Sequence, residues 1–203
     1  MARQVFAVIP AAGHSRRMGQ PKLLLPLGGI TIIERVVRTL FDAGVTASVV
    51  VTREEDQALA QVVRQTMAHL VQPNPAPSQM RESVWAALQW IEAQFHPADD
   101  DGWLLIPADH PTVDVAIVRH VIAAWSATPE RVTLPTFGGR RGHPTIFPWG
   151  LMSDVGQLPA DQGLNQLVRR LGPGVQELPV NTESVLWDLD TPEDYQRIVQ
   201  REE

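Results

Sequence analysis

The chain has no cysteine among its 203 residues, and a single lysine, Lys22, beside sixteen arginines. Zero cysteines exclude disulfides, thiolate metal sites and thiol catalysis together. Long hydrophobic runs are missing as well. The opening "MARQVFAVIPAAG" holds only a few apolar residues in succession, too few for a signal-peptide core or a spanning helix, so the expected location is the cytoplasm. Charge is sparse, at 20% of residues, and its balance is −6. That balance argues against general affinity for nucleic acid or an anionic membrane, because both need a broad basic face. An anionic ligand must therefore be met by a local cluster of cations. With 44% hydrophobic residues, the chain reads as one globular domain spanning 1–203, long enough for a full core.

The apolar pattern alternates between short β-branched runs and stretches of helical period. Strands are expected at Val5–Ile9, Ala47–Val51, Ala68–Gln72, Trp103–Ile106 and Arg131–Pro135. The first, second and fourth are apolar nearly throughout, as strands buried on both faces should be. Helices are expected at Thr31–Asp42, ending at Gly44, and at Glu54–Met67 and Ser78–Phe95. A further one at Val113–Trp125 would be capped by Thr112. Such alternation predicts an α/β fold: a single three-layer, Rossmann-like domain with a mostly parallel sheet. After Arg131 the rhythm changes. "VTLPTFGGRRGHPTIF" reads as a hairpin or a strand against the parallel direction, followed by helices at Gly163–Leu171 and Pro192–Arg201. Trp85, Trp90 and Trp103 read as structural, and Asp99–Asp101 as a solvated turn. Glu34, Arg35 and Arg38 read as ordinary helix-surface pairs.

Ligands of such sheets bind beyond the carboxyl ends of the strands. There, after the first strand, stands "PAAGHSRRMGQPK" (Pro10–Lys22). Ala11, Ala12 and Gly13 offer backbone N–H groups with little bulk, while Arg16, Arg17 and Lys22 add charge. The loop suits a polyphosphate. It is neither a P-loop, since Gly13 and Gly19 are separated by five residues rather than four and lack the Lys-Ser/Thr ending, nor a dinucleotide fingerprint, since Ala11 stands at the first glycine. A polyphosphate calls for a divalent cation as counter-ion, and Mg2+ takes one or two carboxylates from protein. Asp109 in "WLLIPADHP" follows an apolar strand and should project into the crevice. Asp190 in "WDLDTPEDY" precedes a helix. Each also has a plain alternative, Asp109 as a turn former and Asp190 or Thr191 as a helix cap.

"AAGHSRRMGQPK" resembles the A-A-G-x-S-x-R-M-G-x-x-K signature of the MobA-like nucleotidyltransferases, in particular their molybdenum cofactor cytidylyltransferase branch. "PADHP" resembles the A-D-M-P element of that family, and "DLDTPED" its D-I-D-T-P-E-D element. The resemblance implies that Arg17 and Lys22 grip the phosphates of a nucleoside triphosphate, with Ala11–Gly13, Arg16 and Ser83 beside the nucleotide. It implies that Lys22, Arg17 and Asp109 serve catalysis, and that Asp109 and Asp190 hold Mg2+. Asp188 is either beside Asp190 or structural. "GRRGHPTIF" resembles the G-x-x-G-H-P element near the acceptor, making His143 and Arg141 (or Arg140) acceptor candidates with Asp161; the alternative is a hairpin turn with exposed arginines. Gln79 stands at a usual glycine and Asn165 at a usual arginine. The implied reaction moves an NMP to the terminal phosphate of a molybdopterin-type acceptor, with a molybdoenzyme as a further partner. CTP is favoured because A-A-G replaces the L-A-G-G of guanylyltransferases, with Ala12 taken to favour a pyrimidine. The alternatives are another phosphorylated acceptor, such as a sugar phosphate or isoprenoid precursor, and a non-catalytic nucleotide-binding accessory protein.

Overall fold

Strand β1 (Val5–Pro10) is buried on both faces: Val5, Ala7 and Ile9 pack into one apolar cluster, Phe6 and Val8 into another. The same alternation recurs in β4 (Ala47–Val51) and β6 (Gly102–Leu105), where Val50 and Leu104 face the first cluster and Val49, Trp103 and Leu105 the second. Two apolar faces demand two covering layers. On one lie α1 (Ile32–Ala43), α2 (Gln57–Arg64), α4 (Val115–Ala127) and α7 (Pro192–Glu202). On the other lie α3 (Met80–Phe95), α5 (Met152–Gly156) and α6 (Leu164–Leu171). The computed structural model describes residues 3–202.

The remaining strands are β2 (Pro26–Leu27) and β3 (Ile30–Thr31), which form a small hairpin, and β5 (His69–Val71), β7 (Val132–Phe137), β8 (Arg140–Arg141), β9 (Thr145–Pro148) and β10 (Val175–Pro179). The main sheet runs β10-β7-β9-β6-β1-β4-β5, with β8 paired to β7. The pairs β6–β1, β1–β4, β4–β5 and β10–β7 are parallel, while β9 runs antiparallel to both β6 and β7. The sheet is thus the mostly parallel one expected, and the Gly-rich segment both turns a hairpin and returns a strand against the general direction.

Local chemistry sets the helix ends. Thr31 and Glu34 form a reciprocal capping box at α1, so Glu34 serves its own helix start rather than a surface pair. Gly44 ends α1 in the left-handed region. Helix α4 starts two residues later than expected, because Asp114 rather than Thr112 caps it; the Thr112 hydroxyl donates instead to the Ser184 carbonyl. Helix α2 begins at Gln57 for the same reason, with Asp56 accepting from Leu59. Strand β10 was not expected: its residues are half polar, as suits a sheet edge, and lack the apolar run that marks central strands.

Asp101 is no solvated turn residue. It is buried, and its carboxylate accepts from the backbone N–H of Gln4 at 2.7 Å and of Ala98 at 2.9 Å, fixing the entry to β6. Asp101→Ala leaves two donors unmet and is expected to cost about 1–3 kcal/mol in urea unfolding. Asp100 makes an exposed pair with Arg3, and Asp100→Ala should stay within about 0.5 kcal/mol of wild type.

Candidate active site

The loop after β1 begins with a correction to its expected donors. The Ala11 N–H is used in the sheet, donating to the Val51 carbonyl at 2.9 Å. From Ala12 to Arg17, in contrast, the backbone N–H groups have no acceptor among the described residues. Ser15 lies in the left-handed region, its carbonyl accepts from Met18 and Gly19, and its Oγ accepts from the Lys22 N–H. The result is a curl of unmet amides, the kind of concavity that binds anions. Two apolar pegs, Met18 and Leu23, are buried in the core and hold the curl in place.

Lys22 projects from this loop into a ring of oxygens. Its Nζ donates to Asp109 Oδ2 at 2.7 Å, to the Leu189 carbonyl at 2.7 Å and to Asp190 Oδ1 at 3.0 Å. Arg17 Nη2 donates to the other oxygen of Asp190 at 2.6 Å. Asp109 stands just past β6 and Asp190 just before α7; the Leu189 N–H donates to the Asp109 carbonyl at 2.8 Å and ties the two segments together. Burial opposes ionisation of Asp109, but the His110 hydrogen bond and the Lys22 ammonium outweigh it and hold its pKa well below the usual carboxylate range. Burial likewise works against charge on Lys22, and Asp109 and Asp190 outweigh it, so its pKa is raised. Two carboxylates and two cations make the cluster neutral.

The oxygens around Lys22 also answer whether a metal fits. Two carboxylates from distant segments already converge on one cation, the Lys22 ammonium. Two such oxygen donors match what Mg2+ takes from protein, with phosphates and water completing its shell. No group of three or more His, Cys, Asp or Glu converges among the described residues, so the rest of such a shell would have to come from elsewhere.

Lys22, Arg17, Arg16, Asp109 and Asp190 line an open cleft of ≈ 390 Å³ together with Ala11–Gly13. Its far wall is the start of α3: Ser78, Gln79, Met80 and the buried Ser83. Gln79 occupies the N-cap without capping, and its side-chain amide is exposed. The acceptor candidates lie elsewhere. Arg141, on β8, is paired with Glu177 of β10 at 2.7 Å. Asp161 is exposed on the loop before α6, outside the cleft wall. His143 lies behind Asp109, its ring meeting that of His110 edge-on with centroids 4.6 Å apart. Asp188 faces a separate hollow of ≈ 220 Å³ with Arg140 and Arg197. Sequence reasoning missed three participants: the Leu189 carbonyl, His110, whose Nδ1 lies 3.1 Å from Asp109 Oδ1, and Arg53, which holds His14 of the loop at 2.7 Å. A backbone carbonyl has no sequence signal; His110 had one, standing directly after Asp109.

A mostly parallel α/β sheet whose strand ends present an amide curl, a lysine and two aspartates defines a nucleotide-handling enzyme of the nucleotidyltransferase class. Residues 7–175 match the MobA-like NTP transferase domain, and the chain belongs to that family. It is 29% identical to the purine catabolism protein PucB of Bacillus subtilis, over 96% of this chain and 95% of that one. It is 30% identical to a probable molybdenum cofactor guanylyltransferase of Synechococcus elongatus (95% and 96%), and 24% identical to the molybdenum cofactor cytidylyltransferase of Escherichia coli (94% and 93%). Among solved structures, Rv0371c of Mycobacterium tuberculosis superposes with a TM-score of 0.80 at 26% identity, covering 98% of this chain and 100% of that one. Its complex with manganese superposes with a TM-score of 0.75 over 97% and 98%. No helix among the described residues is long and apolar enough to cross a membrane.

One titration is predictable from this geometry. Burial, and after it the neighbouring His110, push the His143 pKa down to about 3, against a smaller opposing pull from the Leu105 carbonyl and Asp109. His143 is therefore neutral when folded and binds a proton near pH 6.5 only when unfolded. Its contribution to stability is complete above that pH and is lost as pH falls toward 3, at up to about 1.4 kcal/mol per unit. Between pH 6.5 and 4.5 the unfolding free energy of wild type should drop more steeply than that of His143→Gln. Parallel slopes in the two proteins would contradict this assignment.

Proposed function

We propose that this protein transfers CMP from CTP to the terminal phosphate of a molybdopterin-type acceptor, releasing pyrophosphate, with Mg2+ as cofactor. The observation that carries the reading is the convergence of Lys22, Arg17, Asp109 and Asp190 beside the loop of unmet amides. Every one of these comes from a stretch that resembles a family element, and membership of the family supports the transfer itself. The Synechococcus relative is named for guanylyl and the Escherichia coli relative for cytidylyl transfer, so the choice of base rests on Ala11–Gly13 and is the part to be measured.

In this reading the triphosphate lies along the Ala12–Arg17 amides, and its nucleoside reaches toward Gln79, Met80 and Ser83. Arg17 and Lys22 turn from the carboxylates to phosphate oxygens, Arg17 as a planar fork and Lys22 as a point charge. An oxygen of the acceptor phosphate forms a bond to the α-phosphorus while the bond from that phosphorus to the β-bridging oxygen breaks. The electron pair leaves with pyrophosphate. The attacking phosphate is already ionised near neutral pH, so no side chain has to remove a proton. Lys22 stabilises the charge that gathers on the α-phosphoryl oxygens as the bonds exchange. Asp109 and Asp190 would hold Mg2+, which supplies charge neutralisation and alignment for the phosphates when bound.

Two outcomes test this. In a thermal-shift panel of nucleoside triphosphates with Mg2+, CTP should raise the melting midpoint well above the shift given by GTP, since a ligand bound only to the folded protein stabilises it. Equal shifts would remove the base assignment while leaving the reaction class standing. Pyrophosphate release with CTP, Mg2+ and acceptor should fall at least about 100-fold in both Asp109→Ala and Lys22→Arg, with far-ultraviolet circular dichroism unchanged. Full turnover in Asp109→Ala would remove it from the reaction, and pyrophosphate-free binding by wild type would favour the accessory-protein alternative.

A further inference from the structure

The reaction uses one oxygen of Asp109, and its other oxygen is held by a residue that no step above uses. His110 Nδ1 lies 3.1 Å from Asp109 Oδ1, while Oδ2 receives the Lys22 ammonium. A carboxylate only accepts, so this nitrogen carries the hydrogen and donates it. The His110 ring is buried, which restricts it to this orientation. It is braced by His143, whose ring meets it at 78° and whose backbone N–H donates to the Val185 carbonyl at 2.9 Å. Behind the carboxylate, therefore, stand two crossed imidazoles. The element that "PADHP" resembles carries a methionine at this place, a side chain with no hydrogen to donate.

We propose that His110 is a positioning residue which, by holding Oδ1, leaves Asp109 a single free oxygen and fixes that oxygen toward the cleft. This rests on the reading of Asp109 as a metal carboxylate. A one-oxygen carboxylate suits a small octahedral ion such as Mg2+ or Mn2+, whereas a carboxylate free to present both oxygens suits the larger shell of Ca2+. Partners of this kind, which touch the ligand and not the ion, are worth 10–100-fold in metal affinity or rate where they have been removed. His143 braces the brace: its place behind Asp109 makes it a support for His110 instead of a contact for the acceptor.

Two substitutions separate the hydrogen bond from the bulk of the ring. His110→Met keeps the volume and loses the donor. His110→Asn keeps a donor where Nδ1 was, since its Nδ2 is also bonded to Cγ, and loses the rest of the ring. The readouts are kcat and KM from pyrophosphate release, and Mn2+ affinity from electron paramagnetic resonance with CTP and without acceptor. His110→Met should lower kcat by roughly 10–100-fold with KM for the nucleotide near wild type, and weaken Mn2+ binding about tenfold. His110→Asn should restore both, even though it melts at a lower temperature. Unchanged kcat and Mn2+ affinity in His110→Met overturns the proposal. Equal damage in the two variants also overturns it, because the ring's packing would then be what counts. Asp109→Asn measured alongside tells the two levels apart: if it retains activity the metal reading fails, and if it is inactive while His110→Met is normal, only the positioning role fails.

Discussion

Three hydrogens on one nitrogen meet three oxygens, and the cleft is organised around that meeting. The ammonium of Lys22 satisfies Asp109, the Leu189 carbonyl and Asp190 within 3.0 Å, from segments far apart in the chain. A guanidinium could not do this. Its donors lie in one plane and fan outward, whereas an ammonium gathers acceptors around a point. That difference is a physical reason for the one lysine in a chain that otherwise uses arginine sixteen times. Arg17 shows the complementary use, since it approaches Asp190 from the exposed side and keeps most of its surface in water.

The fold makes this meeting inexpensive. Strands β1 and β6 are neighbours in parallel register, so the loop after one and the Asp109 turn after the other emerge side by side. The chain then returns from the far edge of the sheet, and the Leu189 N–H on the Asp109 carbonyl locks Asp190 into the same cluster. Met18 and Leu23 anchor the loop, whose Ala12–Arg17 amides have no acceptor among the described residues. Unmet donors at a strand end are a standing offer to an anion.

Much of this was legible in the sequence, for identifiable reasons. Central strands are apolar on both faces and announce themselves; the edge strand β10, with Gln176 and Glu177 turned toward other partners, does not. Lys22 and Asp109 could be found because their types and their flanking Gly and Pro residues mark the loops after strands, and Asp190 because it stands just before a helix start at Pro192. Which neighbours would join them could not. Asp101 reads like its two acidic neighbours yet is buried on backbone donors, and His143 reads like a turn residue yet lies behind Asp109. Arg141 offers a charge toward any anion in sequence, but Glu177 comes from a strand that pattern alone did not predict. Long-range pairing decided these cases, and a linear pattern carries no information about it.

A neutral, mutually satisfied cluster has a consequence for ligand order. Lys22 and Arg17 cannot move to phosphate oxygens without leaving Asp109 and Asp190 unpaired, which is costly for half-buried carboxylates. A divalent cation cannot displace Lys22 without leaving the ammonium in need of an anion. On the proposed reading each ligand therefore relieves the cost imposed by the other, so nucleotide and metal should each raise the other's affinity by the same factor, as linkage requires. The same cluster, undisturbed, keeps like charges apart and the loop seated when neither is bound. On that reading Lys22 is a placeholder in the free protein and a phosphate contact in the loaded one, and the exchange between those two states couples folding stability to ligand binding.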